Sequence, residues 1–254
     1  LCSDCHGTSP HSNATYNTHT AKVACQTCHI PAFSRTLPTQ TEWYWEKAGT
    51  PNDQYTDCEP FTFGEGDDLI TRACYDQMKG EFVWEKNVKP TYAWFNGTYE
   101  RMLVGDKFTE AGTPEDPIVM AKPLGSKGDT ASKIHPFKVM KGNQPVDAAS
   151  DNRIVLVPHL FGPNGQGGTH PYWGNWDWNN AFLDGETAVK ANPYFDGSNY
   201  SYSGAYEWGN TEMYMRINHE VAPMSEALKC SSCHFGGTTL DWEALGYDGD
   251  PSEK

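Results

Sequence analysis

Cys25-Gln26-Thr27-Cys28-His29 is the stretch that decides the fold of this chain, because its pattern occurs twice more, at Cys2-Ser3-Asp4-Cys5-His6 and Cys230-Ser231-Ser232-Cys233-His234. A Cys-X-X-Cys-His pattern is typical of a c-type haem attachment site. The two thiols reach the two vinyl groups on one edge of a porphyrin, and the following imidazole ligates the iron. We therefore predict three covalently bound haem c groups. The predicted thioether cysteines are Cys2, Cys5, Cys25, Cys28, Cys230 and Cys233, and the predicted proximal iron ligands are His6, His29 and His234.

Zinc is the alternative occupant of such motifs, since a Cys-X-X-Cys pair supplies half of a tetrahedral zinc site. Zinc pairs do not require a histidine directly after the second cysteine, whereas all three motifs have one. The pattern therefore favours haem.

The length and apolar content of the chain predict no membrane span. Of its 254 residues, 37% are hydrophobic, and none of the apolar runs approaches the roughly 18–20 residues that a membrane helix requires. Haem c is attached only outside the cytoplasm. We therefore expect a secreted protein, periplasmic or extracellular, whose leader was removed or lies outside this numbering.

Two cysteines, Cys58 and Cys74, remain once the haem motifs are counted. An even pair in an oxidising compartment favours a disulfide. Closing a loop of that size stabilises a fold by roughly 3 kcal/mol in the chain-entropy account. Two free thiols are the alternative.

The acidic composition limits the partners of the chain. It has 33 acidic and 19 basic residues, a formal charge of −14 and no dense Lys/Arg cluster. We therefore predict that it binds no nucleic acid. The acidic stretches at 64–68 and 248–250 lack the ligand register of an EF-hand, so we predict solvated loops there, with bound calcium as the alternative.

The haem motifs are unevenly distributed, at 2–6, 25–29 and 230–234. We predict one trihaem cytochrome domain over residues 1–254, with a haem-free, loop-rich insert at about 35–215, because the apolar periodicity there is broken. The predicted fold class is a multihaem cytochrome c, a loop-rich α+β structure with short helices and a few β-hairpins organised around covalent haems.

Local patterns predict a small number of regular elements. An Asn96-Gly97 step between two apolar stretches, 91–95 and 98–104, favours a hairpin. A helix is predicted over 223–229, where Pro223 begins a segment that leads into the third motif. Further strands are predicted at 81–86 and 153–157.

Two composition-biased stretches lie between the second and third haem motifs. The glycine-rich stretch at 161–168 lacks the Gly-Lys-Ser/Thr of a phosphate-binding loop and is predicted to be an ordinary loop. The aromatic-rich stretch at 170–178 is predicted to pack in the core or on porphyrin, with sugar stacking as the alternative.

Each haem iron also takes a sixth ligand, for which six histidines outside the motifs are candidates. We predict His11, His19 and His219 as the distal ligands. His11 is too close to His6 to reach the far face of its own porphyrin, so we expect it to ligate a neighbouring haem. The other three candidates adjoin prolines and are predicted to be structural. They are His135, His159 and His170.

Iron coordination determines which class of function is open to the chain. Two histidines on each iron leave no position for a substrate, so such haems carry electrons. Catalysis would need an iron left vacant or held by a displaceable ligand. We therefore predict an electron carrier and not an enzyme.

Four stretches, at 23–31, 79–90, 217–223 and 240–247, resemble the carboxy-terminal part of octahaem tetrathionate reductase-type cytochromes. The resemblance spans nearly the whole chain and implies a periplasmic protein with haems packed edge to edge and mostly ligated by two histidines. The reducing haem of that family has a Lys ligand in the amino-terminal region, which has no counterpart here. The resemblance therefore implies the electron-carrying part and not tetrathionate, nitrite or hydroxylamine reduction.

The position of the first motif suggests self-assembly. Almost no chain precedes the haem predicted at Cys2, so we expect an exposed apolar face, which marks an interface. Copies stacked head to tail would form an extracellular filament. The predicted function is thus electron transfer by a secreted trihaem cytochrome that polymerises with itself. The alternatives are the electron-relay part of an octahaem reductase and a soluble periplasmic shuttle that docks with other redox proteins.

Overall fold

A mixed β-sheet forms the framework of the computed structural model, which describes residues 2–161, 170–194 and 196–253. Along the chain the strands are β1 (Thr39–Tyr44), β2 (Phe61–Phe63), β3 (Ile70–Arg72), β4 (Tyr75–Asp76), β5 (Gly80–Glu85), β6 (Thr91–Phe95), β7 (Tyr99–Arg101), β8 (Ile118–Pro123), β9 (Lys133–Asp147) and β10 (Tyr206–Arg216). Within the described residues the main sheet has eight strands in the order β4-β5-β1-β9-β10-β8-β7, with β6 also paired to β9. β2 and β3 form a separate two-stranded sheet.

The sheet is organised around β9 and β10, its two longest strands. They pair antiparallel from Tyr206 opposite Asp147 to Arg216 opposite Phe137. β9 also pairs with β1 in parallel and with β6 antiparallel, so it is the central strand. The stretch predicted as a loop-rich insert therefore supplies the whole sheet. The mixed α/β character with short helices agrees with the predicted fold class, but the extended sheet was not predicted.

The helices are mostly single turns. They are α1 (Cys2–His6), α2 (Ala14–His19), α3 (Cys25–His29), α4 (Tyr172–Asn175), α5 (Trp178–Ala191) and α6 (Cys230–Cys233). α5 is the longest of these, at 14 residues. The Asp177 side chain caps it by accepting a hydrogen bond from the Asn180 backbone N–H at 3.2 Å.

One face of α5 packs into an aromatic core. Phe182 on this helix is fully buried, and Tyr172 stacks on Trp178 with ring centroids 3.6 Å apart. Gly185 permits the close packing, because a Cβ there would lie 1.7 Å from the Val157 carbonyl oxygen. Tyr172 and Trp178 of the aromatic-rich stretch at 170–178 therefore pack in the core, whereas Trp176 is exposed.

The hairpin predicted between 91–95 and 98–104 is wrong. β6 has the predicted bounds, but it pairs with β9, whereas β7 pairs with β8. Gly97 does turn the chain, with a φ of +104°. Tyr92 and Trp94 of β6 are buried against Ile134 of β9, and this apolar burial outweighs a local hairpin. The strand predicted at 81–86 corresponds to β5, and hairpins occur instead at β2–β3 and β4–β5.

The strand predicted at 153–157 is also wrong. Ile154 and Val155 form only isolated bridges, to Lys107 and Val146. Ile154 is fully buried against the aromatic core of α5, so its apolar character reflects packing and not membership of the sheet.

The helix predicted over 223–229 is replaced by turns. The backbone N–H groups of Ala222 and Leu228 donate to the carbonyls of His29 and Cys28 at 2.7 and 2.9 Å. Both donors satisfy carbonyls at the end of α3, and the Leu228 N–H is therefore not available to the predicted helix.

Cys58 and Cys74 are joined by a disulfide, with their Cα atoms 6.0 Å apart. The disulfide closes a loop over residues 58–74, which contains β2 and β3 and directly precedes β4. The glycine-rich stretch predicted to be a loop at 161–168 lies, from residue 162 on, outside the described residues.

Candidate haem centres

Each Cys-X-X-Cys-His motif forms one helical turn. α1 and α3 cover the first two motifs, and α6 covers the cysteines of the third, with His234 at its C-cap. Residues three positions apart on a helix lie on one face, so the two thiols of each motif point the same way. The local geometry is the one that a two-vinyl attachment requires.

The second motif is anchored on the central strand. The Ala24 N–H donates to the Ile134 carbonyl of β9 at 3.0 Å, and the Thr27 hydroxyl donates to the same carbonyl at 2.7 Å. Thr27 is buried. The sheet thereby holds α3 in place.

The third motif is anchored by the C-terminal segment. The Trp242 indole N–H donates to the Cys233 carbonyl at 3.1 Å, and its ring stacks on His234 with centroids 5.2 Å apart. The Trp94 indole N–H of β6 donates to the Leu245 carbonyl at 2.9 Å. β6 and the C-terminal segment therefore position the third motif together.

Thiols of different motifs raise one another's pKa, which links the second motif electrostatically to the first and to the third. Burial raises the pKa of Cys25, and the neighbouring Cys2 raises it further. Burial also raises the pKa of Cys28, with Cys25 and Cys230 adding to the effect. The pKa of Cys233 is raised to about 11, first by burial and then by Cys28. The thiols of the second motif are thus close enough to Cys2 of the first motif and to Cys230 and Cys233 of the third to affect or be affected by them electrostatically.

Two histidine pairs join residues that the sequence predicted as iron ligands. The rings of His11 and His29 have centroids 6.1 Å apart and planes 10° apart. The rings of His19 and His234 have centroids 6.2 Å apart and planes 66° apart. Each pair combines a predicted distal ligand with the predicted proximal histidine of the second or the third motif.

The spacing of both pairs fits one iron between the rings. Nitrogen–metal bonds of about 2 Å and a ring radius of about 1.1 Å, set by bonds of about 1.33 Å, place two opposed imidazole centroids about 6 Å apart. Direct stacking is much closer, as the 3.6 Å between Tyr172 and Trp178 illustrates. The residues at the second and third motifs therefore fit haem, and the pairs His11–His29 and His19–His234 are the ones that would hold its iron.

Hydrogen bonds at Nδ1 orient three of these rings. His19 Nδ1 lies 2.8 Å from the Thr15 carbonyl, and His11 Nδ1 lies 3.2 Å from Asn17 Oδ1. Asn17 also accepts from the His11 backbone N–H at 3.0 Å. A ligating histidine usually donates one ring N–H to such an acceptor, which leaves the other nitrogen for the metal.

The third ring, His234, donates from Nδ1 to Asp250 Oδ1 at 2.6 Å. Burial acts to raise the pKa of Asp250, but hydrogen bonds from His234, Ser252 and Phe235 outweigh it and hold that pKa well below its usual range. The sequence did not identify Asp250 in this role. It lies 16 residues from His234, and no local spacing rule links the two.

His6 and His219 are not brought together. The His219 side chain is 76% exposed, with Nδ1 3.7 Å from Glu220 Oε1. In the part of the chain that the structure describes, no ring contact joins either residue to another histidine. Gln26 Nε2 donates to Asn218 Oδ1 at 3.2 Å, which places the His219 segment beside α3. The role of His219 as a distal ligand stays a prediction.

The remaining three histidines contact residues outside the motifs. His135 packs edge-on against Phe95, and burial lowers its pKa to about 4, with Arg216 the next largest cause. His159 and His170 have Nδ1 atoms 3.7 and 3.9 Å from Asp184 Oδ2. The structural roles of these three histidines stay predictions.

Among the described residues, no group of three or more His, Cys, Asp or Glu side chains is arranged to hold a metal ion. None of the helices in the same residues has the length and apolar character needed to cross a membrane.

The chain is similar to a known protein family and to a solved structure. The family model described as Cytochrome c bacterial matches residues 40–237. The solved structure of octahaem cytochrome c from Shewanella oneidensis is 41% identical, with a TM-score of 0.81. The match covers 100% of this chain and 52% of that one, so the chain spans about half of the octahaem protein. No curated protein matches the chain.

The fold and the family match define a bacterial c-type cytochrome, and the chain belongs to that family. Within it, the chain corresponds to part of an octahaem-type multihaem cytochrome c, which confirms the resemblance found in the sequence. Membership implies covalently bound haem c and electron transfer.

Proposed function

We propose that this chain binds three haem c groups at its three motifs and relays electrons along them. The observation that carries the proposal is the spacing of the two histidine pairs, 6.1 Å for His11–His29 and 6.2 Å for His19–His234. When bound, haem iron supplies reversible one-electron transfer.

The protein's own residues determine that these centres carry electrons. With haem bound, His11 and His19 would ligate the iron together with His29 and His234, and they would exclude substrate and water from it. Asn17 and Thr15 hold the two distal rings through Nδ1. Both distal ligands lie on one short segment, and the rigid helix α2 ends at His19.

The arrangement of the motifs gives the relay an order. Cys2 raises the pKa of Cys25, and Cys28 and the third motif's cysteines raise one another's pKa, so the second motif is electrostatically linked to both other motifs. We propose that electrons pass through the second centre on their way between the first and the third. The net charge of −14 favours basic redox partners in the periplasm or outside the cell.

The test uses holoprotein produced in a bacterial host that attaches haem c. Mass spectrometry is expected to find three haems, and the absorption spectrum is expected to be low-spin at the second and third centres. His11→Ala and His19→Ala are each expected to open one iron, so that each variant binds carbon monoxide when reduced. His170→Ala, outside the motifs, is the matched control and is expected to bind none at these centres. A product with zinc instead of haem, or full low-spin character in both variants, would overturn the proposal.

The comparison also favours a second candidate. Because the chain spans 52% of an octahaem cytochrome c at 41% identity, it suits the electron-relay part of a larger multihaem reductase. Both candidates predict no reduction of tetrathionate, nitrite or hydroxylamine by the isolated chain, so the mass and haem count of the native protein separate them. A native protein of this length with three haems supports the first candidate, whereas a longer native protein with more than three haems supports the second.

Head-to-tail assembly into a filament is a separate prediction about how the relay is used. Electron microscopy of the secreted holoprotein tests it directly. Filaments would extend the relay across many copies, whereas a monodisperse monomer at high concentration would leave a diffusing shuttle.

A further inference from the structure

We propose that Asp250 lowers the reduction potential of the haem at Cys230 and Cys233, making the third centre more strongly reducing than the second. The inference rests on the proposed attachment of haem at the third motif. Asp250 is a positioning residue here, because it acts on the iron through His234.

The hydrogen bonds of Asp250 aim its carboxylate at one ring. Oδ1 accepts from His234 Nδ1 at 2.6 Å, and Oδ2 accepts from the Phe235 backbone N–H at 2.9 Å. The Ser252 N–H and hydroxyl both donate to Oδ1 at 2.9 Å. The Asp250 side chain is only 9% exposed. The carboxylate is therefore fixed beside the imidazole and is shielded from bulk water.

The other oriented rings have neutral acceptors. His11 Nδ1 faces the amide oxygen of Asn17, and His19 Nδ1 faces the backbone carbonyl of Thr15. Of these three oriented rings, only that of His234 is paired with a carboxylate. His234 of the third centre thus has an anionic hydrogen-bond partner, whereas His11 of the second centre has a neutral one.

A carboxylate acceptor changes the electronic character of the ligand. It draws the Nδ1 proton and gives the imidazole more negative charge, so that Nε2 becomes a stronger donor to the iron. A stronger donor stabilises the ferric state more than the ferrous state, which lowers the reduction potential. Electrons shared between the two centres are then expected to reside preferentially at the second.

The ring planes allow each centre to be observed separately. Parallel imidazole planes split the iron d orbitals more than nearly perpendicular ones, so the two centres differ in their electron paramagnetic resonance spectra. The 10° pair, His11–His29, is expected to give a rhombic signal. The 66° pair, His19–His234, is expected to give a signal with a larger maximum g value.

The experiment is a potentiometric titration of the holoprotein followed by electron paramagnetic resonance, for the wild type and three variants. Asp250→Asn keeps the side-chain size and removes the charge. Glu243→Gln removes one exposed carboxylate from the same C-terminal segment and is the matched control. Ser252→Ala removes a competing donor to Oδ1 and leaves more negative charge for His234.

We expect Asp250→Asn to raise the reduced-to-oxidised ratio of the third centre about tenfold at a fixed potential, which corresponds to about 59 mV for one electron. Ser252→Ala is expected to shift the same centre in the opposite direction by a smaller amount. Glu243→Gln is expected to change the reduction potential of the third centre little. The reduction potential of the second centre is expected to stay constant in all variants. If the substitutions only loosened the structure, the reduction potential of the third centre would shift in the same direction in Asp250→Asn and Ser252→Ala.

An unchanged third centre in Asp250→Asn, or an equal shift in Glu243→Gln, overturns the inference. If Asp250→Asn does not retain the third haem, Ser252→Ala decides alone, and a shift other than downward overturns it. Failure of the proposed function has a different signature, because wild-type protein would then lack haem at Cys230 and Cys233 by mass spectrometry.

Discussion

The sheet region and the haem-motif region of this molecule are held together in different ways. The sheet region, with α5 packed beside it, buries Phe137, Phe182 and Tyr200 almost completely. The motif helices α1 and α6 bury no residue, and α3 buries only Thr27. The sheet region therefore carries its own apolar core, whereas the motif helices depend on the proposed haems, on hydrogen bonds to β9 and on the packing of β6 and the C-terminal segment beside the third motif.

The largest expected effect follows from removing the central haem. The double variant Cys25→Ser/Cys28→Ser is expected to lose one haem, and residues 2–29 are expected to become open to limited proteolysis while β9 and β10 stay protected. Mass spectrometry of the intact protein and of its fragments measures both. Uniform cleavage of the whole chain would show that the sheet region does not keep its structure independently of the central haem.

A core substitution tests the sheet region independently. Phe182→Ala on α5 is expected to lower the free energy of unfolding by about 3–5 kcal/mol, because it removes a fully buried ring. Leu183→Ala, at a neighbouring position that is 49% exposed, is expected to change it by less than about 0.5 kcal/mol. Chemical denaturation followed by circular dichroism gives both values. Equal losses in the two variants would show that α5 is not packed as described.

The disulfide is expected to contribute less. Replacing both Cys58 and Cys74 by Ser is expected to lower the free energy of unfolding by up to about 3 kcal/mol, through the larger entropy of the unfolded chain. The haem count and spectrum are expected to be unchanged, which denaturation and absorption measurements would check. A mild reductant should destabilise the wild type but not this variant, and the opposite result would exclude a bonded pair.

The smallest expected effect is a pH dependence of the free energy of unfolding. It comes from His135 on β9 and therefore reports on the sheet region alone. Its folded-state pKa is lowered to about 4 by burial, below the ordinary value of about 6.5. Between these values the unfolded chain binds a proton at this ring that the folded chain does not. Stability is therefore expected to fall as the pH decreases from about 6.5 to about 4, by on the order of 1–2 kcal/mol for a partly buried group.

The control for this pH effect is His135→Gln, which removes the titrating ring from β9. The variant is expected to show a flatter stability profile in the same pH window. Identical profiles for the wild type and His135→Gln would mean that other groups titrate in this window.

The sequence predicted the chemistry of the motif region more fully than the fold of the sheet region. Cysteine spacing indicates haem attachment because the thioether geometry is local. The long strand β9 was not predicted, since Pro136 and Pro145 interrupt its pattern and its partners β1, β6 and β10 are far away in the chain. The hairpin at Asn96-Gly97 failed for the same reason, because long-range burial overrides a local turn signal.

By itself, the sequence determined the family, the three attachment motifs and the set of candidate iron ligands, because each depends on residue type and short spacing. Only the tertiary structure decided that His11 faces His29, that His19 faces His234 and that Asp250 pairs with His234. These contacts join segments whose separation along the chain follows no periodic rule. Their positions are set by β9, β6 and the C-terminal segment, which pack together through apolar burial.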